Sequence, residues 1–115
     1  MSPALTESQM QETTRDHGPQ PLDRLMNCWA LTNHQLVGAS VEQLNHKQVQ
    51  RARKGRQLTL HLMQKITRTL NDAIMARLSK DEQVQFLPYT HKRLFLYAKD
   101  HDPSWADPNT PLLPK

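Results

Sequence analysis

The chain has 115 residues, which is room for one small domain and too few for two. Hydrophobic residues make up 37% and only six residues are aromatic (Trp29, Phe86, Tyr89, Phe95, Tyr97, Trp105), so the core is small and each large apolar side chain counts. No run approaches the ~20 consecutive apolar residues of a membrane span. The opening MSPALTESQMQETTRDHG lacks the basic-then-apolar order of a secretory leader, and the single cysteine, Cys28, rules out an internal disulfide. The expectation is a cytoplasmic protein with no membrane partner.

The formal net charge is +4, and its distribution matters more than its size. From Gln43 to Asn71 there is no Asp or Glu, while Lys47, Arg51, Arg53, Lys54, Arg56, Lys65 and Arg68 fall in that stretch. Residues 1–42 are net acidic and residues 72–115 are balanced, so the whole excess sits in one central block. A localised positive field points to a polyanionic partner.

Residues 1–19 are polar and rich in Ser, Thr and Gln, and read as a flexible N-terminal arm. The 66 residues from Leu22 to Leu87 contain no proline and two glycines, and their apolar spacing is helical. A first helix is predicted over 22–30, with Pro21 at its start and Leu22, Leu25, Met26 and Trp29 on one buried stripe. Cys28 falls in that apolar pattern and reads as a buried small hydrophobe. A second helix opens at Thr32 or Asn33 and reaches about Val41, with Leu36 and Val37 inward. A third runs from Asn45 to Lys54, closed by Gly55 as a left-handed cap.

A fourth helix follows Thr59, with a stripe of Leu62, Met63, Ile66, Leu70, Ala73 and Ile74. It runs to about Leu78 or breaks near Asn71 and Asp72. A last helix is predicted over 90–99, with Leu94, Phe95 and Ala98 as its apolar face. The segment 87–99 is richer in large apolar residues than a surface helix needs, so it either covers the domain or makes a dimer contact. Residues 101–115 read as an extended, Pro-rich C-terminal tail with Trp105, Leu112 and Leu113 as anchors. The fold class is all-α: a compact bundle of about five helices over 20–100, between an arm and a tail.

The third helix carries the functional signal. It presents His46, Lys47, Gln48, Gln50, Arg51, Arg53 and Lys54 with only Val49 and Ala52 apolar. So polar a helix gains little from burial unless one narrow stripe packs and the rest meets solvent or a partner. Arg and Lys pair with guanine and Gln with adenine, and the acids that would repel phosphate are absent.

Thr32–Asn33–His34–Gln35–Leu36–Val37, Val49–Gln50–Arg51–Ala52–Arg53–Lys54–Gly55, and Leu62, Ile66 and Leu70 with Thr69 together resemble the helix-turn-helix of the lambda-repressor-like, or Xre-type, DNA-binding family. The similarity covers residues 32–71 and the helix before them, within a module of roughly residues 22 to 78 whose helix-turn-helix lies at about 32–55. The stretch from Leu36 to Leu44 is about two residues longer than in the family, so the turn or the second helix is extended. The usual turn glycine has no counterpart unless Gly38 serves, and Arg53 stands where the family commonly has an acid. The resemblance implies double-stranded DNA as partner, a transcription-regulating role and a homodimer. It implies base contacts from His46, Lys47, Gln50 and Arg51, and phosphate contacts from Thr32, Asn33, Arg53, Lys54 and Arg56.

Other chemistry finds little support. Cys28, His34, His91, His101 and Asp102 lack the paired spacing of a zinc site, so no metal or cofactor is expected. There is no Gly-rich phosphate loop and no nucleophile elbow, so the chain does not read as an enzyme. The alternative function is an interaction adaptor or antitoxin-like protein that uses the same fold on protein or RNA.

Overall fold

Pro21 fixes the backbone at the first turn of α1 (Pro21–Cys28), where its missing N–H costs nothing. The helix buries Leu22, Leu25 and Met26, and Trp29 follows them into the core. The chain then turns sharply through Ala30, at φ +54°, and the Arg77 guanidinium donates to the Trp29 carbonyl at 2.6 Å, satisfying a helix-end acceptor. The computed structural model describes residues 17–102 and 104–114.

α2 (Asn33–Ala39) and α3 (His46–Lys54) both begin with reciprocal capping boxes. Gln35 N–H donates to Thr32 Oγ1 and Thr32 N–H to Gln35 Oε1; Gln48 N–H donates to Asn45 Oδ1 and Asn45 N–H to Gln48 Oε1. α2 ends at Ala39, two residues before the expected Val41, which is 86% exposed. The extra length lies in the turn. Ser40 Oγ accepts the N–H groups of Glu42 and Leu44, both at 3.1 Å, and Gln43 takes the left-handed conformation at φ +60°. Gly38 is inside α2, so Gln43 holds the conformation for which a turn glycine was sought.

α4 (Leu60–Met75) is the central beam, capped by Thr59 Oγ1 and unbroken at Asn71 and Asp72. Met63, Ile66, Leu70, Ala73 and Ile74 form its buried stripe, with Leu62 partly buried beside them. It packs on α2, and α1 packs on α3, so four helices enclose one core. The all-α expectation holds, with six α-helices among the described residues.

Two elements depart from expectation. A short α5 (Lys80–Gln85) forms between the fourth and last predicted helices, opened by a Ser79–Glu82 capping box. The last helix, α6 (His91–Leu94), stops after four residues. The buried Gln20 side chain explains the stop: its Oε1 accepts Leu96 N–H at 2.7 Å, and so holds the backbone just beyond α6 out of the helical ladder. The predicted inward residues Leu94, Phe95 and Ala98 are still buried, and with Tyr89 they show that segment 87–99 covers the core.

The two ends of the described chain are docked. His17 stacks on Tyr97 at 4.4 Å and donates its N–H to the Gly55 carbonyl at 2.8 Å, so residues 17–19 lie against the domain. The rest of the expected arm, 1–16, lies outside the described residues. The tail is held by polar groups as much as by its apolar anchors. Buried Asn109 accepts from Leu87 N–H and donates to the Leu87 carbonyl, and Tyr89 OH donates to Asp107 while accepting from Trp29 Nε1. Trp105, Leu112 and Leu113 pack against the core, and Thr110–Leu112 forms a 3-10 turn.

Gly55 closes α3 at φ +99°, and a Cβ there would stand 1.8 Å from the Gly18 carbonyl oxygen. Gly55→Ala is expected to cost about 2 kcal/mol or more, from left-handed strain plus displacement of residues 17–18. Denaturant unfolding checks this; an unchanged midpoint would contradict the close approach.

Burial also raises both tyrosines. Tyr97 is pushed up to about 12, and Tyr89 higher still, in each case chiefly by desolvation of the phenolate. The folded state therefore keeps these protons to higher pH than the unfolded chain. Their contribution to stability is intact below about pH 10 and is lost as pH rises through about 12. Tyrosinate absorbance of the native protein should lag that of the denatured chain; coincident titrations would mean that both hydroxyls are solvated.

Candidate nucleic-acid interface

The two apolar residues of α3, Val49 and Ala52, are completely buried, and they fix which side of the helix faces out. His46, Gln50 and Lys54 then follow one another at i, i+4 and i+8, with Lys47 and Arg51 in the adjacent row. All five are exposed, and they cover one arc of about 140° at 100° per residue. The four expected base contacts, His46, Lys47, Gln50 and Arg51, are thus brought together on one face, with Lys54 below them. Arg56, past the Gly55 cap, is exposed too.

Charge on this face is uncompensated. Of the seven basic residues between 43 and 71, the structure pairs two: Arg53 with Asp23, and Arg68 with Glu42. No carboxylate oxygen among the described residues lies within salt-bridge distance of Lys47, Arg51, Lys54, Arg56 or Lys65. The Arg68 guanidinium holds the Glu42 carboxyl below its ordinary range by direct hydrogen bonding, so the acid nearest the block stays ionised and occupied.

Arg53 requires a correction. It was expected at a phosphate, yet only 18% of its side chain is exposed and it faces α1. Nε donates to Asp23 Oδ1 at 2.6 Å, Nη1 to Asn33 Oδ1 at 2.8 Å, and Nη2 to Asn27 Oδ1 at 2.8 Å. One planar guanidinium therefore ties α3 to α1 and to the start of α2. Its charge holds the helix in place and is removed from the contacting set. Asn33 accepts in the same clamp through Oδ1, and Thr32 Oγ1 accepts in the capping box, which leaves the Asn33 amide protons and the Thr32 hydroxyl proton as the donors these side chains offer a phosphate. Lys54 and Arg56 are the cations that remain from the expected phosphate set.

His34, weighed in the sequence only as a metal ligand, belongs to this face. Its ring stacks on His46 at 5.6 Å and 23°, so the start of α2 adds an exposed imidazole beside the start of α3. Their spacing of twelve residues carries no periodic signal; only the turn brings them together. Cys28 is a further correction: it is exposed, because it falls beside the buried stripe of α1. Among the described residues no three His, Cys, Asp or Glu gather as metal ligands, and no helix is long and apolar enough to cross a membrane. No protein-family model, curated protein or solved structure matches the chain.

The Arg53 clamp is testable by a double-mutant cycle. Arg53→Met and Asp23→Asn should each destabilise, with a coupling of about 1–2 kcal/mol, since the pair is half-screened and shares its donors with two amides. Additive effects would mean that the contact holds nothing together.

Proposed function

We propose that the chain is a sequence-specific double-stranded DNA-binding protein with a transcription-regulating role, and that α3 is its reading helix. The observation that supports this most is the exposed stripe of α3: five polar or cationic side chains without a carboxylate partner among the described residues, on a helix rigidly seated by Arg53. In this reading α3 lies in the major groove, which admits an α-helix. His46, Lys47, Gln50 and Arg51 meet base edges, and Lys54 and Arg56 meet the backbone. The resemblance to the Xre-type family in residues 32–71 leads to the same assignment. One such helix reads few base pairs, so the reading includes a homodimer on a two-fold site.

The test separates reading from holding. A bound sequence is first selected from a random duplex library. Arg51→Ala should then lower the preference for that sequence over scrambled duplex by about 1–3 kcal/mol. Arg56→Ala should weaken both duplexes alike and reduce the salt slope by about one unit. Equal losses for Arg51→Ala on both duplexes would remove α3 as the reader. Binding to RNA or to a protein in place of duplex DNA would move the function to the adaptor class.

A further inference from the structure

A cleft of about 380 Å³ opens between α1 and the docked C-terminal segment, away from the exposed stripe of α3. Its volume is within the range of small-molecule sites. Leu25, Leu96, Leu113 and the Trp105 ring give it apolar walls, and Arg24 and Arg93 supply cations. The Arg93 guanidinium lies over Trp105, 4.9 Å from the ring centroid, so a flat cation and a flat apolar surface are presented together.

The polar groups of the cleft are unequally committed. Asp107 accepts from Tyr89 OH at 2.9 Å and from Asn109 N–H at 2.9 Å. Asp102 accepts from the N–H and the hydroxyl of Ser104, which lower its pKa ahead of any effect of His101 or Arg93. Arg24 and Arg93 have no carboxylate oxygen within salt-bridge distance among the described residues. Both carboxylates keep their charge, so the cleft carries two acids against two cations; what sets Arg24 and Arg93 apart is that no hydrogen bond to a described residue occupies their guanidinium donors. An anionic group carried on an apolar body satisfies both the donors and the walls.

We infer that this cleft binds a small organic carboxylate with an aromatic or alicyclic body, its carboxylate on Arg24 and Arg93 and its ring along Trp105 and Leu25. The site is independent of the proposed DNA face, although the two share a helix: α1 gives Arg24, Leu25 and Cys28 to the cleft and Asp23 and Asn27 to the Arg53 clamp.

Cys28 lines the cleft and is the only cysteine in the chain, so its alkylation reports occupancy without DNA. The rate of iodoacetamide labelling is measured by intact mass with 2-naphthoate or with the neutral 2-naphthamide. Protection by 2-naphthoate should reach half-maximum at a concentration at least about tenfold lower than protection by 2-naphthamide, the ratio a charged hydrogen bond implies. Arg24→Gln combined with Arg93→Gln should erase that ratio; Arg24→Gln alone, at an exposed position, should reduce it. Equal protection by the two compounds in the native protein, or protection by neither, overturns the proposal. So does a ratio that survives both substitutions. None of these outcomes bears on duplex binding, so the two readings fail separately.

Discussion

The position of α3 depends on one guanidinium. Arg53 stands on the inner edge of a helix whose other cations face outward, and it reaches Asp23, Asn27 and Asn33 with three nitrogens. A helix with only Val49 and Ala52 to bury would gain too little from packing to be held in one orientation. The fork geometry of Arg supplies what the apolar contact lacks, because a planar group bonded to two other helices fixes rotation as well as distance. The capping boxes and the Gly55 cap then define where the helix begins and ends. The consequence is a division of labour within one basic block. Arg53 and Arg68 serve the fold, and the cations left on and just beyond α3 have no internal use.

The opposite side of the domain is closed by polar side chains that satisfy backbone groups. Asn71 bonds both the N–H and the carbonyl of Tyr89, Asn109 does the same for Leu87, and Gln20 fixes Leu96. Such bonds matter because the segment from Phe86 onward has little helix and its backbone would otherwise be left unpaired against the core. They also explain how a Pro-rich stretch becomes part of the domain, and how the cleft beneath Trp105 is formed.

Much of this was legible in the sequence where the signal is local. Pro21, Thr32, Asn45, Gly55 and Thr59 mark helix ends by chemistry that needs no distant partner, and the stripes of α1 and α4 follow the helical period. α5 was missed because none of its residues is buried, which leaves no apolar period, although Ser79 and Glu82 spell a capping box. The shortening of the last helix depends on Gln20, 76 residues away, and no local pattern carries that. The role of Arg53 was misread for a related reason. In the sequence it is one cation among seven, and only the acceptors that α1 and α2 bring to it set it apart. Its position between Ala52 and Lys54, one step from the buried row, was the available hint. The stacking of His34 on His46 depends likewise on the turn.

The cations left free by the fold are, in the reading proposed above, the groups that meet a duplex. Titration of duplex DNA across a range of salt concentrations tests it most directly. Lys54 and Arg56, the two free cations assigned to phosphates, predict a log–log slope of about −2 per chain, at roughly 0.9 counterion released per phosphate neutralised. The loss of Arg53 from that set is why the expected slope is not steeper. A slope near zero, or no measurable binding at low salt, would contradict the account: the basic stripe would then be a solvated surface, and the clamp beneath it a feature of stability alone.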